Sequence, residues 1–224
     1  MTKFAAFSVS LFAFLLVTVA LLQKTKVNNL HTACMPQNFA GNYDSSKNLA
    51  LYQGYNIKIP KLSDFAQNKE DTQVLADVSP SEKWIEISLS DQKLRAWNGQ
   101  NLYLEEKIST GGANSPTPKG EFHIWSKLAY SEIKGGIGSG SYDLPNVPFA
   151  MFFEGGGIPS WKGYAINGSY WLKEFGLAQG NGCVNIPVSV AQKLFYWANP
   201  SLSQGQTFVR ASVDNPGTRV IIRD

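Results

Sequence analysis

Cys183 stands in the run Gln179-Gly180-Asn181-Gly182-Cys183-Val184-Asn185-Ile186-Pro187. Two glycines ahead of it free the backbone to bend, and a helical pattern begins at Pro187 just behind it. A helix N-terminus favours the thiolate over the thiol, and backbone N–H groups near Gly182 and Cys183 could hold a developing oxyanion. This is the sequence setting of a cysteine nucleophile. A lone cysteine is more often an inert buried residue, and composition by itself favours that reading. Other chemistries are poorly supplied. Two cysteines and two histidines build neither a four-thiolate zinc site nor a disulfide scaffold, so no metal and no organic cofactor are expected. Net charge is +3 with no block of Lys and Arg, so nucleic acid is not an expected partner.

The elements that must position Cys183 begin near Trp84. Ile85-Glu86-Ile87-Ser88-Leu89-Ser90 alternates apolar and polar residues, the mark of a strand with one buried face. Leu94–Trp97 and Leu102–Leu104 flank Asn98-Gly99, a hairpin turn signal. Phe122–Trp125, Phe149–Phe153, Tyr164–Ile166 and Gly217–Arg223 read as further strands, with a Gly-rich excursion from Gly135 to Ser141. Only Pro187–Ala198 reads as a helix, with Val190, Ala191, Leu194, Phe195, Trp197 and Ala198 on one face. With 43% apolar and 17% charged residues there is ample material for a core. The fold class is mainly β with one principal helix, over residues 81–224.

Upstream the character changes. Phe4 to Leu22 carry no charge, preceded by Lys3 and followed by Lys24 and Lys26. At about 1.5 Å per residue this stretch just spans a hydrocarbon core of about 30 Å. Residues 1–26 are therefore expected to be an uncleaved transmembrane anchor rather than a cleaved signal, and the remainder is exported either way. Residues 27–80 lose periodicity and gain Asn, Gln, Ser, Asp and Lys, which suits a polar tether. Its apolar islands Leu49–Tyr52 and Tyr55–Ile59 could lie as stray strands on the main domain. Cys34 falls in this tether. A Cys34–Cys183 disulfide is conceivable in an oxidising compartment and would block the thiol. A tether fixes no geometry for it, so none is expected.

From Trp84 to Arg223 the chain resembles the catalytic domain of the bacterial L,D-transpeptidases, which cross-link peptidoglycan stem peptides. The resemblance is carried by Ser109-Thr110-Gly111 with Thr117-Pro118-Lys119-Gly120-Glu121-Phe122, by Tyr142–Pro148, by Gly163-Tyr164-Ala165-Ile166-Asn167-Gly168-Ser169-Tyr170-Trp171, and by Gly182-Cys183-Val184-Asn185. It implies a β-sandwich-like domain in the cell envelope, outside the cytoplasmic membrane and anchored through residues 4–22, or secreted if the segment is cleaved. It implies Cys183 as nucleophile, with the Gly182 N–H on the oxyanion and Asn185 orienting the site. The implied reaction is attack on the L,D-amide of a donor tetrapeptide stem, expulsion of terminal D-alanine, and transfer of the acyl group to an amine on a neighbouring stem. Gly168, Tyr164 and Trp171 would help bind the stem peptide, although core packing is the commoner use of such aromatic residues.

Two positions depart from the family pattern. Asn167 and Asn181 stand where the family has histidines, the first of which takes the thiol proton and returns it to the leaving amine. An amide has no proton to exchange near neutral pH. A free thiol with a pKa of about 8.5 is a few per cent thiolate at neutral pH, so attack is slowed rather than abolished. General-acid help to the leaving amine is typically worth about 10²–10⁴-fold, and its loss matters more. His123, on a strand of the same domain, reads as a surface or core residue rather than a replacement base. Two functions follow: an impaired or atypical transpeptidase, or a catalytically silent protein that binds stem peptides or scaffolds the wall.

Overall fold

The computed structural model describes residues 34, 36, 39–65, 82–136 and 140–224. The expected membrane segment, residues 4–22, lies outside them, as does Gln67–Asp71 of the tether. Among the described residues no helix is long and apolar enough to cross a membrane.

Eleven strands join in one hydrogen-bonded sheet: β1 (Leu49–Tyr52), β2 (Tyr55–Lys58), β3 (Lys83–Ser88), β4 (Lys93–Asn98), β5 (Asn101–Lys107), β6 (Gly120–Gly135), β7 (Tyr142–Glu154), β8 (Ala165–Gly168), β9 (Val184–Ile186), β10 (Phe208–Arg210) and β11 (Arg219–Arg223). A single turn, α1 (Leu62–Phe65), and a ten-residue helix, α2 (Val188–Trp197), complete it, with a short 3-10 turn at Ser160–Lys162. The strand order is β2-β1-β7-β6-β11-β3-β4-β5, with β10 on β6 and the parallel pair β8–β9 attached through β7. Fold class follows the sequence reading: mainly β, one principal helix.

The apolar run Phe149–Phe153 is explained by its place. Phe149, Met151 and Phe153 face one apolar cluster, and Ala150 and Phe152 face a second. Both faces of β7 are buried, so alternation of polar and apolar residues is lost there. The expected sandwich thus takes the form of one sheet with a core on each face. α2 closes the first face with Ala191, Leu194, Phe195 and Trp197, and burial of side chains the size of Leu194 and Phe195 contributes roughly 1.5–3 kcal/mol each. The second face is closed by Cys34, Ala50 and Ile59 from upstream and by Trp171 and Cys183 from the β8–β9 connection.

Three local details differ from the sequence reading. The hairpin turn falls one residue later than Asn98-Gly99, because Asn98 pairs with Asn101 and Gly99 (φ +59°) with Gln100 makes the bend. β6 runs for 16 residues rather than the four expected. A register shift between Ile124 and Ser126 switches its side-chain parity, so Phe122 and Ile124 before it and Ala129 beyond it all face the helix-side core. Lys127 is fully buried beyond that shift, and its Nζ donates to the carbonyls of Phe195 and Ala198, the latter at 2.6 Å. Lys83 Nζ donates to Trp197 O at 2.9 Å. Two lysines thus satisfy carbonyls that the end of α2 leaves without helical partners.

The segment expected as a tether contributes ordered structure in its described part. The islands at 49–52 and 55–59 form the β1–β2 hairpin, and β1 adds to β7 through Leu51 opposite Asp143 and Tyr52 opposite Tyr142. Asn146, which has φ +55°, exchanges hydrogen bonds with the backbone of Asp44 at 2.7 and 2.9 Å. Phe65 O accepts from Gln192 Nε2 on α2 at 3.1 Å.

Candidate active site

Cys183 lies immediately before β9, whose parallel pairing sets Ile166 beside Val184, Asn167 beside Asn185 and Gly168 beside Ile186. Gly182 takes φ +97°, a conformation that L side chains rarely adopt, and delivers Cys183 into the strand. The loop before it is fixed from the other side. Gly112 N donates to Gly180 O at 2.9 Å and Gly180 N to Thr110 O at 2.8 Å. Thr117 Oγ1 accepts from Gly111 N at 2.9 Å and donates to Gly182 O at 2.8 Å. A Cβ on Gly111 would stand 2.8 Å from Gly182 N and Cα, so the two strands of this loop touch backbone to backbone. Gln92 braces the arrangement, with Nε2 donating to Thr110 Oγ1 at 2.8 Å and Oε1 accepting from Thr110 N at 3.0 Å.

Cys183 is not a free thiol: its Sγ is bonded to Sγ of Cys34, across 149 residues of chain, with the Cα atoms 6.3 Å apart. This overturns the expectation that the upstream segment has no fixed geometry for such a bond. Cys34 N donates to Gly163 O at 3.0 Å, in the loop ahead of β8. Cys183 Sγ lies 3.8 Å from that same oxygen, a contact rather than a hydrogen bond, since a disulfide sulfur has no hydrogen to donate. Both cysteines are buried. They share the wall of a pocket of about 20 Å³ with Tyr52, Tyr142, Trp171, Asn181 and Asn185 among others. That is room for about one water. None of the lining residues carries a carboxylate, an imidazole or an amine.

The two asparagines expected at the family's histidine positions have separate surroundings. Asn181 lines the pocket. Asn167 is buried on β8, where Nδ2 donates to Asn185 Oδ1 at 3.3 Å and to Gly168 O at 3.4 Å, while Oδ1 has no partner among the described residues. Asn185 Nδ2 in turn donates to Ser109 O at 3.3 Å and Cys183 O at 3.5 Å. A chain of amides therefore runs from β8 to the backbone of the cysteine.

The other expected residues divide. Trp171 lines the pocket, its ring 6.2 Å from that of Tyr52 and 5.1 Å from that of Tyr170. Tyr164 instead stacks on Phe153 at 6.1 Å, and burial raises its phenol pKa. Gly168 is buried against the helix, where a Cβ would come within 3.2 Å of Ala191 Cβ and 3.1 Å of Pro148. His123 is exposed on β6 between Arg219 and Glu154 and is absent from the pocket wall. Thr117 and Gln92 received no role from sequence. Thr117 lies inside a motif piece, whereas nothing local marks Gln92. Among the described residues no cluster of His, Cys, Asp and Glu is arranged to hold a metal.

The family model of the L,D-transpeptidase catalytic domain (YkuD) matches residues 82–222. The chain belongs to this family. The match takes in every element from β3 to β11, and thus both the Ser109–Thr117 loop and Cys183. Solved family members are similar to it. The L,D-transpeptidase from Mycobacterium smegmatis is 16% identical over 64% of this chain and 59% of that one, with a TM-score of 0.50, and shares the fold. The catalytic domain of the Enterococcus faecium L,D-transpeptidase is 28% identical over 64% of this chain and 98% of that one, TM-score 0.46. A longer structure of the E. faecium enzyme is 25% identical over 63% of this chain, TM-score 0.48, and the present chain covers 50% of its length. The chain thus spans about half the length of such relatives. No curated protein matches it.

Proposed function

We propose that the chain acts on peptidoglycan stem peptides as an envelope L,D-transpeptidase of low intrinsic rate, with Cys183 as nucleophile when its thiol is free. The observation that carries this reading is the position of Cys183: at the mouth of β9, behind the φ +97° bend of Gly182, on the wall of a pocket shared with Asn181 and Asn185. In the reaction the Cys183 thiolate adds to the donor carbonyl, the amine of terminal D-alanine departs with a proton, and the thioester passes to an amine of a second stem. Backbone N–H groups at Gly182 and Cys183 hold the oxyanion, and the Asn167–Asn185 pair fixes the Cys183 carbonyl. The proton for the leaving amine comes from water, since no carboxyl, imidazole or amine lines the pocket and burial raises the pKa of its Tyr52 and Tyr142 phenols, and the rate is low for that reason. The disulfide supports an exported domain, because such bonds persist in oxidising compartments. Residues 4–22 then serve as its anchor in the cytoplasmic membrane.

A second reading is a stem-peptide-binding protein without turnover, favoured by the same lack of a carboxyl or imidazole on the pocket wall. One experiment separates them. The reduced chain is incubated with a purified disaccharide-tetrapeptide, and mass spectrometry follows loss of alanine and formation of dimer. Product from the natural sequence and none from Cys183→Ala establishes the transpeptidase. Saturable binding with no product from either establishes the binding protein.

A further inference from the structure

We propose that the Cys34–Cys183 disulfide is a redox-opened covalent plug, and that a dithiol reductant of the envelope is the partner that releases it. The inference rests on the reading of Cys183 as the acyl-transfer nucleophile and concerns the control of that site.

Four observations converge. The bond consumes the sulfur that the family fold places behind the Gly182 bend. The segment that supplies Cys34 lies upstream of the residues matched by the family, so the plug is an addition to the catalytic domain rather than part of it. The pocket at the two sulfurs has room for about one water, too little for a peptide, and its walls include Cys34 itself and Tyr52 of β1. Apart from the sulfur bond and its place in the second core, Cys34 is held, among the described residues, by one backbone hydrogen bond, to Gly163 O. β1 is held separately, by its ladder to β7 and by Gln53 N to Ser141 O at 3.1 Å. Cutting the sulfur bond thus removes the covalent tie at Cys34 while leaving the hairpin on the sheet.

Both cysteines line the pocket, so the bond borders it. Attack at Cys34 makes Cys183 the leaving group. A thiolate of the reductant bonds to Cys34 Sγ, the Cys34–Cys183 bond breaks, and Cys183 leaves as the thiolate. The reductant's second thiolate then attacks its own sulfur in the mixed disulfide and expels Cys34. The protein gains two electrons and two protons as a pair of thiols, and the reductant becomes a disulfide. The nucleophile appears in the same step that unties the plug.

The test uses the full chain and iodoacetamide, a probe that needs no acyl chemistry. Peptide mapping without reductant should find Cys34 and Cys183 in one linked fragment. Native chain treated with dithiothreitol should alkylate at Cys183 at least about tenfold faster than the untreated chain near neutral pH. Cys34→Ser should alkylate at Cys183 at the reduced rate with no reductant; should that variant not fold, the reduced natural chain answers alone. The proposal is overturned if no linked fragment exists, or if the reduced native chain reacts at Cys183 no faster than the oxidised one while denatured chain reacts fully. Fast alkylation after reduction with no product from the disaccharide-tetrapeptide leaves the plug standing and defeats the transpeptidase reading instead.

Discussion

Asn167 and Asn185 lie abreast on the parallel strands β8 and β9, with Asn167 Nδ2 3.3 Å from Asn185 Oδ1, and Asn185 continues the contact to the carbonyl of Cys183 at 3.5 Å. Asn167, which the sequence resemblance sets at the family's histidine position, keeps a hydrogen-bonded link toward the cysteine but carries no group that moves a proton.

Replacing Asn167 by His, together with Asn181→His, should return that group. Asn185 Oδ1 is placed to accept from an imidazole N–H at 167 and fix its tautomer. Turnover of disaccharide-tetrapeptide by the reduced double variant should rise by about 10²–10⁴-fold over the natural chain. An unchanged rate in a variant that melts normally would mean that proton transfer is not what limits this site.

Thr117→Val keeps the shape of the side chain and removes a hydroxyl that serves Gly111 N and Gly182 O at once. Both partners are backbone groups in the packed loop, so the variant should lose about 1–3 kcal/mol of stability. Urea titration measures this. Iodoacetamide reactivity of Cys183 after reduction should shift with it, because Gly182 aims the cysteine.

Asn185→Ala removes the side-chain partner of Asn167 Nδ2, which keeps only the Gly168 carbonyl at 3.4 Å, while Oδ1 has no partner among the described residues. A loss of about 1–3 kcal/mol in chemical denaturation is expected. Adding Asn167→Leu should recover part of it by withdrawing the stranded amide, a coupling that a double-mutant cycle reads directly.

Lys127 makes stability depend on pH. Burial first, and the charge of Lys83 second, lower its pKa to about 7 in the folded chain. The unfolded chain holds its proton up to the ordinary lysine range near 10.5, so above about 7 the unfolded state binds more protons than the folded one. Unfolding free energy should therefore rise with pH between those values, by up to about 1.4 kcal/mol per unit. Lys127→Met should flatten this limb. A flat limb in the natural chain would show that the carbonyls at the end of α2 keep the ammonium charged.

The legible parts of the molecule were those encoded by near neighbours. The period of two in Ile85–Ser90 gave β3, the apolar face from Val190 to Ala198 gave α2, and Gly182-Cys183 ahead of Pro187 marked the cysteine shortly before that helix, while β9 between them carried no signal that was read. The family pieces extended this to Trp84–Arg223, against the 82–222 that the family model matches. The turn at Gly99 was found one residue early, since Asn98 tolerates either a strand or a bend and only its pairing with Asn101 decides. The parity switch in β6 was missed, and with it the burial of Lys127, because a register shift is set by the neighbouring strand.

Sequence alone therefore determined the fold class, the cysteine and the absence of histidine at 167 and 181, because residue identity and short-range periodicity need no partner to be read. The tertiary structure decided whether that cysteine is free. The bond to Cys34 closes a loop of 149 residues. Such a contact depends on where two distant backbones come to rest, through the pairing of β1 with β7 and the hydrogen bond at Gly163, and leaves no local pattern along the chain.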